Sequence, residues 1–388
     1  MGSIAAVNPF QDVPAGRTGP LETLVGQFRA DTDPNRTDLL VGVYKTDQGK
    51  PYVLPSVKEA KRRIFEDPDW HHEYRAFAQG SPVYRKLSEE LLFGPDHRLL
   101  REKSPVGSTL RAMEADWKPR DLPSHRDLTT LLPYFNSKTN KFDFAKFTDA
   151  VKALPAQSVV LLQSNAQNPT GSDPSPDQWR ELATIFSERG HLAFFDAAYP
   201  GFASGDIDTD LESVRLFAER EIPLIFVSTY GKSFGLYSER VGILSVLAPS
   251  EQVGKNIEAH LRLLARAESG APPDFGSTIV ETVLSDETLR AQWREELRHM
   301  ANRLKSRRIA LREALEKLET PGNWAHITEQ NGMFSYVGLS VEQVTLLREK
   351  YHVYLQDSGR ISIAGLNDFN TEYTASSISA VVKATASH

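Results

Sequence analysis

The sequence predicts an α/β protein built on a mainly parallel sheet covered by helices. Apolar runs at Ser158–Leu162, Leu192–Phe195 and Leu224–Val227 alternate with helical segments at Gln178–Glu188 and Asp210–Glu219. Continuous apolar runs separated by helices indicate parallel strands buried on both faces. Polar residues follow the runs directly: Asn168 after the first, Asp196 at the end of the second, Lys232 after the third. Ligands of open α/β sheets bind beyond the carboxyl ends of the strands, so three separate segments deliver polar groups to one rim.

Ahead of this pattern, residues up to about Thr46 read as an entry arm, a short helix and a strand. Gly42 lies in the apolar stretch L39-L-V-G-V-Y44. The stretch K45-T-D-Q-G-K50 is turn-like. Val57–Phe65 and Arg85–Phe93 are helical in character, the second with Leu87, Leu91 and Leu92 on one side. Beyond the alternating region, Leu289, Trp293, Leu297, Met300 and Leu304 recur at spacings of three and four, and Leu311, Leu315 and Leu318 continue the stripe. This predicts one long amphipathic helix over Asp286–Leu318 with a core-facing side. Such a helix suits a joint between a large domain and a C-terminal one. Strand-like pieces follow at Met333–Val337 and Gly359–Ile363.

At 388 residues the chain is long enough for two domains and a large core. Its net charge of −6, with no long basic run, argues against nucleic acid or a membrane surface as partner. The absence of cysteine excludes disulfides, thiolate metal sites and cysteine nucleophiles. No apolar run approaches a membrane span. The N-terminal M1-G-S-I-A-A-V-N-P-F10 has neither a basic segment nor a long apolar region, so a cytosolic enzyme is expected.

The stretch richest in chemistry is S228-T-Y-G-K-S-F-G-L-Y-S-E-R-V-G242. Lys232 sits in a turn of small and hydroxyl-bearing residues just after an apolar run. An uncharged lysine amine is a nucleophile that forms a Schiff base with a carbonyl such as the aldehyde of pyridoxal phosphate. Small neighbours leave room for a phosphate, and Arg240 adds a permanently charged fork for it.

The chain resembles the class I, fold-type I pyridoxal-phosphate aminotransferases, specifically the aspartate aminotransferase group. The similarity runs from about Asn8 to about Val382. It is carried by F28-R-A-D31, V41-G-V-Y-K45, E90-L-L-F-G94, Q167-N-P-T-G171, F195-D-A-A-Y-P-G-F-A-S-G205, the lysine segment, N331-G-M-F-S335 and D357-S-G-R360. The resemblance implies a large cofactor domain over residues 48–299 and a small α/β domain formed by both chain ends, 1–47 and 300–388. It implies a homodimer with shared active sites.

By the same resemblance, Lys232 holds pyridoxal phosphate and afterwards moves the proton at the substrate Cα. Asp196 resembles the carboxylate that keeps the pyridine nitrogen protonated. Tyr199 and Asn168 resemble the pair that bonds the phenolic oxygen. Arg240 holds the phosphate, helped by Thr229 and Ser108, and Tyr74 resembles a tyrosine contributed across the dimer. Arg360 resembles the fork for the substrate α-carboxylate, which Asn168 also borders. Arg266, in L264-A-R-A-E-S-G-A-P-P273, resembles the residue reaching from the neighbouring subunit to a distal carboxylate. Gly42 lets backbone approach the substrate.

The sequence departs from the family pattern between S104-P-V-G-S-T-L-R111 and F142-D-F144, where the chain is shorter around residues 112–135. The family has there a strand and a loop whose tryptophan stacks on the cofactor ring; Trp117 and His125 are the local aromatic candidates. The phosphate-loop glycines give way to Val106-Gly107-Ser108-Thr109. Gln167, Gly231, Ser269 and Ala271 replace the usual histidine, serine, tyrosine and asparagine. The leading expectation is ping-pong amino transfer between an acidic amino acid and a 2-oxo acid. Two alternatives stand beside it. One is another pyridoxal-phosphate reaction of specialised biosynthesis: elimination, replacement, decarboxylation or cyclisation. The other is a non-catalytic protein on the same scaffold.

Overall fold

The computed structural model describes residues 13–14, 16, 18–73, 79–94, 106–108 and 130–386. Tyr74, Trp117 and His125 lie outside them, as does the side chain of Ser108. The centre is a five-stranded sheet in the order Val106–Ser108, Gly242–Val246, Leu224–Thr229, Leu192–Ala197, Val159–Gln163. The last three strands pair in parallel, and Gly242–Val246 runs antiparallel to both neighbours.

Local chemistry sets the helix that links the parallel strands Val159–Gln163 and Leu192–Ala197. Ser175 and Gln178 form a capping box around Pro176, and the helix Pro176–Arg189 ends at Gly190 in the left-handed region, φ 63°. Its buried Trp179, Leu182, Ile185 and Phe186 cover the inner side of the sheet. The segment read as one helix over Asp210–Glu219 is two, Ile207–Asp210 and Glu212–Glu219. The break follows from Asp210, whose buried carboxylate accepts the backbone N–H groups of Gly201, Ala203 and Ser204.

The opposite sheet face is only partly covered. Val159 is 60% and Leu161 53% exposed, and Leu192, Phe194, Ile225, Val227 and Leu244 on the same face are half-buried. The expectation of a sheet buried on both faces therefore holds for one face among the described residues.

The long helix runs Glu287–Lys317, capped by the Asp286 side chain on Leu289 N–H. Its buried side carries Leu289, Trp293, Leu297, Met300, Leu304, Leu311 and Leu315; Leu318 caps the end and is 37% exposed. The chain ends meet: Thr37–Asp38 pairs in parallel with Val353–Tyr354, and Arg360–Ser362 pairs antiparallel with Phe334–Tyr336. Gly42 lies outside any strand, and residues 45–50 form the expected turn, closed by Thr46 N–H on Lys50 O at 2.8 Å.

Trp293 joins this helix to the lysine turn. It is fully buried, stacks on Phe234 at 4.4 Å and donates from Nε1 to Ser233 O at 2.9 Å. Trp293→Ala therefore lowers the unfolding free energy by about 3 to 5 kcal/mol, read as a lower urea midpoint at unchanged slope. A loss under about 1 kcal/mol would show that this contact does not join the two elements.

Candidate active site

Three parallel strands end side by side. Gln163 pairs with Asp196, and Asp196 with Val227, so the Asp196 carboxylate stands one strand from the start of the lysine turn. Thr229 caps that turn: its Oγ1 accepts Gly231 N–H at 3.1 Å and donates to Val241 O at 3.3 Å. A Cβ on Gly231 would lie 3.2 Å from that hydroxyl, so the serine usual at this position would crowd the cap. Lys232 follows, its Nζ 5.6 Å from the centre of the Tyr199 ring and 6.0 Å from that of Tyr237.

Arg240 is held at φ 55°, in the left-handed region that a side chain disfavours, and its Nη1 donates to Tyr237 O at 3.4 Å. Such conformations persist where surrounding structure over-determines them. Ser108 stands opposite Leu244 on the neighbouring strand.

Burial pushes the Asp196 carboxyl up to about 6, while Lys232 pulls it the other way. A carboxylate here is under-compensated and favours a positive partner. Tyr199 is buried beside it in a loop fixed by two side chains. Asn165 donates to Tyr199 O at 2.8 Å and to Asp210 at 3.0 Å, and Asp210 gathers the three N–H groups that follow Tyr199.

The second half of the site arrives from the other end of the chain. Arg360 is buried; its Nη1 donates to Asn168 Oδ1 at 3.0 Å and its Nη2 to Leu40 O at 2.9 Å. Its guanidinium lies 4.1 Å from the centre of the Phe334 ring, and that ring meets Tyr199 edge-on at 5.9 Å. Burial lowers the Arg360 pKa; Tyr199 and Tyr336 oppose the shift. Asn168 is gripped by Gln163, which accepts its N–H at 2.8 Å and donates to its carbonyl at 3.0 Å. The Asn168–Pro169 peptide is cis.

The structure thus brings together Lys232, Asp196, Tyr199, Asn168, Thr229, Arg240 and Arg360. Gly42 stands at the same place: a Cβ there would fall 2.3 Å from the Phe334 ring. Arg266 is apart from this group in its surroundings, exposed on the helix Glu251–Ser269 beside Leu263 and Leu264, which are 63% and 57% exposed. Sequence reasoning missed Phe334 and Tyr237. Phe334 was read as part of a strand and of the N331-G-M-F-S335 motif but given no role in the site; Tyr237 lay inside the lysine segment, and its hydroxyl accepts Tyr44 N–H at 2.9 Å.

A family model described as aminotransferase class I and II matches residues 129–378. The cytoplasmic aspartate aminotransferase of Dictyostelium discoideum is 37% identical over 414 residues, covering 99% of this chain and 92% of that protein. That alignment is longer than the 388-residue chain, so the relative carries residues this chain lacks. The mitochondrial aspartate aminotransferase of the same organism is 36% identical over 396 residues, covering 94% and 92%.

Among solved structures, the aspartate aminotransferase from Saccharomyces cerevisiae cytoplasm superposes with a TM-score of 0.89. It is 33% identical and covers 97% of this chain and 98% of that one. The aromatic-amino-acid aminotransferase of Burkholderia pseudomallei covalently bound to pyridoxal phosphate has the same TM-score at 31% identity, covering 97% and 100%.

The shift at Asp196 makes a pH prediction for protein stripped of small molecules. The folded pKa stands above the ordinary 3.8, so between these values the folded state binds more protons and stability falls as pH rises. The unfolding free energy of wild type relative to Asp196→Asn is therefore lower at pH 7 than at pH 4 by about 2 to 3 kcal/mol. Parallel pH profiles of the two proteins in chemical denaturation would contradict this.

Proposed function

The chain belongs to the class I and II aminotransferase family, and from that premise we propose that it exchanges an amino group between aspartate or glutamate and a 2-oxo acid by a ping-pong route with pyridoxal phosphate. One observation carries the reading. The buried Arg360 fork, made for a carboxylate, shares Asn168 with a rim that also holds a lysine amine and an under-compensated aspartate.

The residues fit the cofactor. Asp196 favours the positive partner that a protonated pyridine nitrogen would be, and Gly231 leaves the Thr229 cap next to Lys232 uncrowded. When bound, pyridoxal phosphate supplies an aldehyde for the amine and a ring that takes up the electron pair left at Cα.

The chain's own residues do the rest. Asp196 would hold the proton on the pyridine nitrogen, and Arg240, with Ser108 and the turn that Thr229 caps, would hold the phosphate. Asn168, its oxygen turned to Arg360, would have its amide N–H left for the phenolic oxygen, to which Tyr199 would offer its hydroxyl. Arg360 would fix the α-carboxylate, and the Lys232 amine would take the proton from Cα.

We place Arg266 and Tyr74 in the site of a second copy. The exposed Leu263, one turn before Arg266 on the same helix face, supports a partner there. Light scattering then gives twice the 43.4 kDa chain mass, and a monomer would remove Arg266 from the site. Division into bodies 48–299 and 1–47 with 300–388 is part of the same proposal.

Initial rates with aspartate and 2-oxoglutarate give parallel double-reciprocal lines. Lys232→Ala abolishes turnover, and Arg360→Ala lowers kcat/KM for aspartate by about 10³-fold, the weight of a paired charged hydrogen bond. Arg266→Ala raises KM for aspartate and leaves an aromatic amino acid unaffected. Aspartate consumption without amination of 2-oxoglutarate would sink the reading.

A further inference from the structure

The stripe of the long helix has a gap, Leu304 to Leu311, and the residue buried in it is Arg308, 2% exposed. Its Nη1 donates to Ile327 O at 2.9 Å. Its Nη2 donates to Asn331 O at 2.8 Å, to Gly332 O at 3.0 Å and to Phe334 O. An apolar side chain would continue the stripe without the cost of a buried cation. What guanidinium adds is a rigid fork with fixed directions.

Across the same segment, the half-buried Asp173 carboxylate accepts Ala166 N–H at 2.6 Å, Gln167 N–H at 2.9 Å and the side chain of Asn331. Burial raises its pKa, while these donors and Arg308 oppose the shift. Asn331 is thus tied to both charges: its carbonyl to Arg308, its side chain to Asp173. The segment ends in Phe334, the ring under Arg360, and Asp173 fixes the residues that lead into Asn168, the acceptor for Arg360.

We propose that Arg308 is a positioning residue for the carboxylate-binding half of the site, with Asp173 as its counterpart. By fixing three carbonyls of residues 331–334 it sets the Phe334 ring beneath Arg360, and Asp173 sets Asn168 beside it. Lys232, Asp196 and Arg240 lie on other elements: the lysine turn, the strand Leu192–Ala197 and the turn leading into Gly242–Val246. The inference rests on the proposed amino-acid substrate and deepens it.

The test uses the holoenzyme with Arg308→Met, Arg308→Lys and Asp173→Asn. All three keep the visible band of bound pyridoxal phosphate. In Arg308→Met, KM for aspartate and the dissociation constant for succinate, read from the change in that band, rise roughly tenfold to a hundredfold, as for a misplaced binding group. Its kcat changes far less, and its reaction with a simple alkylamine lacking a carboxylate keeps the wild-type rate.

Arg308→Lys, which keeps the charge but not the fork, falls between. Wild-type constants for aspartate and succinate would overturn the proposal. So would loss of alkylamine reactivity in the same proportion, the mark of a merely structural role. If Arg308→Met does not fold, the same split is read on Arg308→Lys and Asp173→Asn, and wild-type constants in both overturn it. If wild type itself fails to transaminate aspartate, the proposed function falls while succinate binding still reads Arg308.

Discussion

Residues 331–334 cross the rim of the sheet with no space for a side chain at their closest approaches, and the site depends on that passage. A Cβ on Gly171, at φ 68°, would stand 2.7 Å from both Asn331 O and Phe334 O. A Cβ on Gly332 would fall 2.4 Å from that of Ala166. Across the segment, Gly42 gives the Phe334 ring its place. Only backbone this close lets a strand from the C-terminal third meet the loop that follows Val159–Gln163. The Arg360–Asn168 hydrogen bond and the Phe334–Tyr199 contact both follow from it.

Close backbone approach leaves polar groups buried, and these must be paired. The chain meets that demand with charged side chains that each serve several backbone groups. Asp210 gathers the N–H groups after Tyr199, Asp173 those before Asn168, and Arg308 the carbonyls before and at Phe334. The segments that present Tyr199, Asn168 and Phe334 are therefore each clamped from behind by a charged side chain. The cost is concentrated in desolvation, which shifts the pKa of all three toward neutrality.

Much of this was legible in sequence. The apolar runs fixed three parallel strands because strands buried on an inner face show little else, and the polar residues after them marked the rim. Lys232, Asp196, Arg240 and Arg360 announced themselves by residue type and by ordered motifs. Arg308 was hidden because it sits on a helix whose neighbours, Arg307 and Lys305, read as a solvated face; the skipped turn between Leu304 and Leu311 was the one signal. Phe334 was hidden because an aromatic in a strand is ordinarily core. The exposure of Val159 and Leu161 could not be read from the strand itself, since an apolar run does not say which of its faces another element covers.

The central claim is that one rim holds a cofactor amine and a carboxylate fork in register. It is tested most directly by the visible spectrum of the purified protein with pyridoxal phosphate, before and after aspartate. The account predicts a bound-cofactor band that aspartate bleaches to the amine form and that 2-oxoglutarate restores. A band that aspartate leaves unchanged would contradict the register between Lys232 and Arg360, and no band at all would contradict the cofactor site itself.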